Sequence, residues 1–125
     1  MDFDLVIIGS GPGGYVAAIR GSQLGLRVAI IEKEALGGIC LNWGCIPTKS
    51  FLRSAEVLKL VQESEKYGIK CDVGAISISD IVKRSRSIAK KLSSGVEYLL
   101  KKNNVEIFSG EASFNTHNSI KVISK

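Results

Sequence analysis

The chain alternates between short continuous apolar runs and longer stretches in which apolar residues recur every three or four positions. Leu5 to Ile8 is a β-branched run, and Arg27 to Ile31 is a second that ends in Glu32; runs of this length predict buried strands. Between them, after GSGPGG, the residues YVAAIRGSQLG read as a helix with its alanines toward a sheet. Pro47 suits the first turn of a further helix through Phe51, Leu52, Ala55 and Leu58 to about Tyr67, where Gly68 stops it. The segment IKCDVGAISIS holds no sustained period and is expected to cross the surface. Ser79, followed by Asp80, is expected to cap a long amphipathic helix that runs to about Asn103. On a wheel of about 100° per residue, Ile81, Ile88, Leu92, Val96 and Leu99 share one face, with Lys83, Arg86, Lys90 and Lys101 opposite. Val105 to Ser109 predicts another buried strand, and Ala112 to Phe114 with Ile120 to Ile123 flank the turn signal NTHNS as a hairpin. There is no internal repeat, low-complexity tract or linker.

The first strand, the glycines, the helix and the second strand make one complete βαβ unit. Gly9, Gly11 and Gly14 meet G-x-G-x-x-G, with Gly13 as an extra. Gly9 permits the tight turn off the strand, Gly11 lets the backbone approach a pyrophosphate, and Gly14 lets the helix pack closely on the sheet. The free N–H groups and positive dipole end of the helix favour the anion. Glu32, eighteen residues after Gly14, stands where a carboxylate accepts from a ribose hydroxyl and repels a 2'-phosphate. NADP is disfavoured, and FAD and NAD both remain. The expected class is α/β and Rossmann-like, with a parallel sheet and a small β hairpin.

Composition narrows this reading little. A chain of 125 residues is one domain, able to bury roughly two thirds of its unfolded surface. No apolar run approaches the ~18 residues of a membrane span. The N-terminus carries aspartates where a signal peptide carries lysines, which places the protein in a reducing compartment, most simply the cytoplasm. The net charge of +5 concentrates in KRSRSIAKK and Lys101-Lys102. Because the wheel puts these residues opposite the apolar face, and no aromatics interleave with them, they read as a solvated helix back and not as a nucleic-acid patch.

The cysteines add chemistry. GGICLNWGCIPTKS places Cys40 and Cys45 between a double glycine and Pro-Thr-Lys. A zinc site would need further ligands, and Cys71 and His117 lack the spacing, so no metal is expected. In a reducing compartment a close pair is catalytic or redox-sensing rather than structural, whereas Cys71 reads as a small hydrophobe in a connecting segment. In a regular helix the paired Cα atoms would lie about 8.6 Å apart, beyond the roughly 6.8 Å that a disulfide allows. A bridge therefore requires irregular chain between them, which Asn42 and Gly44 permit. Cys45, near a helix N-terminus with Lys49 one turn on, is expected to be an activated thiol, with Cys40 further out to meet a substrate sulfur.

GSGPGG, Glu32 and GGICLNWGCIPTK together resemble the N-terminal FAD domain of the flavin-dependent pyridine nucleotide-disulfide oxidoreductases, and CLNWGCIPTK is most similar to the dihydrolipoamide dehydrogenase branch. The resemblance covers the whole chain. It implies that Cys40 exchanges with a dithiol substrate, that Cys45 contacts the flavin and forms a charge-transfer thiolate, and that Lys49 neighbours flavin N5. It implies FAD contacts from Gly9, Gly11, Pro12, Gly13 and Gly14, from Glu32 and Lys33, and from Gly38, Ile39, Cys40 and Lys49. A backbone contact to the adenine end is implied near Gly110 to Ala112. Ile39 stands where many members carry threonine.

The resemblance further implies a homodimer that oxidises dihydrolipoyl groups of 2-oxoacid dehydrogenase complexes and passes electrons through the disulfide and FAD to NAD. It implies a longer chain as well, with a closing strand, an NAD domain and an interface domain that supplies a His-Glu pair. Residues 1–125 correspond only to the N-terminal part of the FAD domain, incomplete at the C-terminus, and His117, in a hairpin turn, is not the base. The chain alone is therefore expected to be inactive in NAD-linked turnover. The rival readings are a related reductase of the glutathione or mercuric type and a truncated flavin-binding product.

Overall fold

The computed structural model describes residues 2–124. In chain order these form β1 (Leu5–Ile8), α1 (Pro12–Gln23), β2 (Val28–Glu32), α2 (Gly38–Asn42), α3 (Cys45–Gln62), a 3-10 turn (Ser64–Tyr67), α4 (Ile78–Lys102), β3 (Glu106–Ser109), β4 (Glu111–Thr116) and β5 (Ser119–Ile123). The expected α/β class holds. β1, β2 and β3 form a parallel sheet in that order, and β4 and β5 an antiparallel pair. The register sets Leu5 beside Val28 and Ile8 beside Ile31, then Ala29 beside Glu106 and Glu32 beside Ser109.

Among the described strands only β2 is buried, from Val28 to Ile31, since it alone has a strand on each side. The expectation of three buried strands is corrected for β1 and β3. As the outer strands of the described sheet they are half-buried, and Ile8 and Glu106 are exposed. The core lies between one sheet face and the helices, built from Ala18, Val28, Ile30, Leu41, Val96, Leu100 and Val105. Alternation along the strands turns Val6, Ala29, Ile31 and Phe108 to the other face. There they line a cavity of about 750 Å³ with Phe114, Ile120 and Val122 of the hairpin.

Pro12 sits at the start of α1, where its missing N–H costs no hydrogen bond. Of the two alanines only Ala18 packs inward; Ala17, one position round the helix, is exposed. After α1 the chain turns back at Gly25, with φ +88°, and Leu26 N donates to Gly21 O at 3.2 Å. This is the left-handed reversal that glycine favours after a helix. α2 is too short for a periodic signal and was not expected. α3 starts at Cys45, two residues before Pro47, and gives way to the 3-10 turn, which Gly68 ends at φ +75°.

Two expectations for α4 are corrected. The cap is Ser77 rather than Ser79: Asp80 N donates to Ser77 Oγ at 3.2 Å. The buried stripe is Ser85, Ala89, Val96 and Leu100, rotated by about 60° from the expected face. Ile81 and Ile88 are half-buried, while Leu92 and Leu99 are 40% and 42% exposed. The reason is close packing, because α4 lies against α2 and α3 and the small side chains of Ser85 and Ala89 allow the approach. Arg86 is exposed on the back as expected, and it also reaches α2, donating to Asn42 O at 3.1 Å. Lys83 and Lys90 are exposed as expected. No helix of the described residues is long and apolar enough to cross a membrane.

Candidate functional site

The site is assembled at the C-terminal ends of β1, β2 and β3, where the sheet hands the chain to loops. Gly9 leaves β1 at φ +90°, still donating its N–H to Ile31 O at 2.8 Å, and the loop then turns into α1. A Cβ on Gly14 would lie 2.0 Å from Gly9 O, so the helix packs directly on its own approach turn. A Cβ on Gly11 or Gly13 would meet nothing within 4 Å. Gly11 caps α1 without any side-chain hydrogen bond, and the first intrahelical bond is Tyr15 N to Gly11 O. The first N–H groups of α1 precede its first intrahelical bond and stand at the positive end of a twelve-residue helix, an arrangement suited to a pyrophosphate.

Glu32 closes one side of this loop. Its Oε2 accepts from Ser10 Oγ at 2.6 Å and from Ser10 N at 2.9 Å, and its Oε1 accepts from Glu34 N at 2.9 Å. Partial burial on its own would raise the carboxyl, but these bonds, with the Lys33 backbone, outweigh it and hold Glu32 below its ordinary value. Lys33 is exposed beside it. On the far side Gly110 N donates to Glu32 O at 3.0 Å. Gly110 is buried and sterically required, since a Cβ there would lie 2.6 Å from Ile123 O. Ala112 follows, half-buried in β4.

The redox segment lies against the glycine loop. Gly37 and Gly38 both have positive φ, and a Cβ on Gly38 would come 2.7 Å from Gly11 Cα. From Gly38 the chain runs through α2, breaks at Trp43 and Gly44, and enters α3 at Cys45. This break brings the Cys40 and Cys45 Cα atoms to 4.7 Å, and the two sulfurs form a disulfide. Gly44 supplies the irregularity, as expected; Asn42 does not, being helical and buried. Its amide instead donates to Leu36 O and Gly38 O, both at 3.0 Å, tying α2 to the turn before it.

Cys40 is half-buried and Cys45 exposed, the reverse of the expected order. Cys40 belongs to α2, whose Leu41 and Asn42 pack inward, whereas Cys45 stands at the free N-terminus of α3. Lys49 is exposed one turn further along α3, and Ile39 is 75% exposed on α2. Cys71 is corrected as well. It is exposed rather than packed as a hydrophobe, because its segment runs over the surface, and its Sγ lies 3.1 Å from Ser64 Oγ. His117 sits in the β4–β5 turn and lines the cavity on the sheet face away from the helices.

α4 braces the segment from behind through groups that sequence reasoning missed. Ser93 Oγ donates to Leu36 O at 2.8 Å, Arg86 to Asn42 O, and Arg84 to Ser50 Oγ at 2.9 Å. The wheel gave no signal for these residues, because each lies off the apolar face. Ser10 was passed over as a variable position between two glycines.

Known proteins match this arrangement. The family model described as pyridine nucleotide-disulphide oxidoreductase covers residues 3–122. A dihydrolipoyl dehydrogenase of Zymomonas mobilis is 57% identical over 108 residues, covering 86% of this chain and 23% of that protein. One of Bacillus subtilis is 44% identical, covering 87% and 23%. Among solved structures, the HOCl-induced flavoprotein disulfide reductase RclA of Escherichia coli, as a Cu(II) complex, superposes with a TM-score of 0.76 at 28% identity, over 95% of this chain and 24% of that one. The chain thus spans about a quarter of the length of these relatives.

Proposed function

The chain belongs to the pyridine nucleotide-disulphide oxidoreductase family, and from that premise we propose that it is the FAD-binding, redox-disulfide part of a dihydrolipoyl dehydrogenase. The observation that carries the reading is the Cys40–Cys45 disulfide across the α2–α3 break, in a segment packed against the dinucleotide loop through Gly38 and Gly11. The N-terminus of α1, from Gly11 to Gly14, would hold the FAD pyrophosphate, and Glu32 the ribose. Gly38, Ile39, Cys40 and Lys49 would flank the flavin, with Gly110 and Ala112 at the adenine end.

In the proposed cycle a dihydrolipoyl thiolate attacks Cys40 Sγ, the half-buried sulfur, and the Cys40–Cys45 bond breaks, leaving a thiolate on the exposed Cys45, whose open side would be the flavin's. The second dihydrolipoyl thiol, on losing its proton, attacks its own sulfur bound to Cys40. This releases a lipoyl disulfide and leaves Cys40 reduced. Two electrons have then moved from the substrate dithiol to the protein pair. The N-terminus of α3 stabilises the Cys45 thiolate through its unpaired N–H groups and dipole, and Lys49 adds a positive charge one turn on. FAD held beside Cys45 and Lys49 would supply the two-electron acceptor that links the reduced Cys40–Cys45 pair to NAD. The complete enzyme would work as a homodimer on 2-oxoacid dehydrogenase complexes.

The test is chemical. The chain is purified and denatured, and the released cofactor is identified. FAD is expected, and FMN, or tight NADP binding without flavin, would overturn the reading.

A further inference from the structure

Ser10 is completely buried, and its hydroxyl both donates and accepts a hydrogen bond. It donates to Glu32 Oε2 at 2.6 Å and accepts from Gly37 N at 3.1 Å. One oxygen thus touches the carboxylate at the end of β2 and the backbone of the turn that leads into α2 and Cys40. The main chain reinforces both contacts, since Ser10 N donates to Glu32 Oε2 and Gly37 N also reaches Ser10 O at 3.1 Å. Gly37 is itself held hard. A Cβ there would lie 2.7 Å from Leu41 Cδ2, so the turn packs closely on α2.

We propose that Ser10 is a positioning residue that couples the ribose end of the site to the redox end, so that occupancy at Glu32 changes the thiol–disulfide equilibrium of Cys40 and Cys45. The inference rests on Glu32 being the ribose acceptor. A ribose hydroxyl that donates to Glu32 competes with Ser10 Oγ for the same carboxylate. As that bond lengthens or turns, the Ser10 hydroxyl reorients, and the acceptor it offers to Gly37 N changes with it. The perturbation passes through two hydrogen bonds and a turn packed on α2, and it needs no movement of the sheet. Coupling between binding equilibria is reciprocal, so the redox state of the pair must alter ligand affinity by the same factor.

ADP is the probe, because it carries the ribose and pyrophosphate without the flavin and cannot itself exchange electrons. The chain is equilibrated in glutathione buffers, where disulfide plus two glutathione thiols interconvert with dithiol plus glutathione disulfide. The Cys40–Cys45 ratio is read by thiol trapping and peptide mass mapping. ADP is either absent or at a concentration that calorimetry shows to be saturating for each variant. In the native chain ADP is expected to shift the equilibrium constant by about fivefold or more, the lower end of ordinary allosteric coupling. In Ser10→Ala, which removes the hydroxyl but keeps the main-chain contacts, the shift is expected to fall below about twofold while bound ADP and a native circular dichroism spectrum persist. Ser10→Gly removes the same hydroxyl in a loop already built of glycines and must give the same loss. Saturated ADP with no redox shift in the native chain, or a full shift retained in either variant, would overturn the coupling alone. A native chain that binds no ADP in either redox state would remove the ribose reading of Glu32 and the coupling with it.

Discussion

Replacing Gly14 by alanine separates the two jobs of the glycine loop. Inside a helix the exchange ordinarily stabilises by up to about 1 kcal/mol, through lower backbone entropy in the unfolded chain and better helix propensity. Here the new Cβ would stand 2.0 Å from Gly9 O and 3.1 Å from Gly9 C, against a floor of 3.0 Å that real Cβ atoms observe. The first turn of α1 must therefore withdraw by at least 3.0 − 2.0, about 1 Å. Both obstacles are backbone, so no side chain can swing aside. Overpacking of this kind costs about 1–3 kcal/mol, and at the upper end the net loss is about 2 kcal/mol, roughly 8 °C in Tm for a chain of this length. Gly11→Ala is the control: its Cβ meets nothing within 4 Å and its φ is −61°, so stability should stay within about 0.5 kcal/mol. Nucleotide binding should nevertheless be lost, because the methyl fills the space the pyrophosphate needs. Urea and thermal denaturation read the first effect, and ADP calorimetry the second. A Gly14→Ala chain stabilised by the roughly 1 kcal/mol of an unobstructed Gly-to-Ala exchange in a helix would refute the close-packing argument.

Three further outcomes follow from named contacts. Thiol trapping with mass mapping should find Cys40 joined to Cys45 in the oxidised chain and Cys71 free, whereas a major species bridged through Cys71 would contradict the geometry. Because folding depresses the Glu32 carboxyl, its contribution to stability is complete above the unfolded value of about 4.3 and is lost as pH falls through the lower folded value; Glu32→Gln should flatten the pH–stability curve in that acid window, and an unchanged slope would exclude the effect. Among the described residues Ser85 Oγ is buried without a hydrogen-bond partner, so Ser85→Ala should be neutral or stabilising by up to about 1 kcal/mol in chemical denaturation, and a loss of more than about 1 kcal/mol would reveal a partner.

The elements legible in the sequence are those whose signals are local. The run from Leu5 to Ile8, the glycine fingerprint and the acid at Glu32 each carry their meaning in residue type and spacing, and the βαβ unit forms where they place it. The cysteine pair was legible for the same reason, since a bridge at that spacing requires a break in the helix, which Gly44 permits. What escaped depends on packing between distant segments. The α4 wheel found the greasiest face, but contact with α2 and α3 selected the smallest one, through Ser85 and Ala89. Arg86 is solvated as the wheel places it, but a wheel cannot know that Asn42 offers it a carbonyl from 44 residues earlier. The cap at Ser77 did carry a local signal, the spacing Ser77-x-x-Asp80, which the nearer Ser79 obscured. Ser10 is the clearest case of a residue invisible in sequence, because its role exists only once Glu32 and Gly37 converge on it.

The most direct measurement is the visible absorption spectrum of the FAD-loaded chain with Cys40 replaced by serine. That change leaves Cys45 as an unbridged thiol at the N-terminus of α3, with Lys49 one turn beyond. The account predicts a long-wavelength charge-transfer band in Cys40→Ser that fades on acidification as the thiolate takes up a proton. The band should be absent from the Cys45→Ser chain. A band confined to Cys45→Ser, or no band in either variant while FAD is demonstrably bound, would contradict the placement of Cys45 against the flavin.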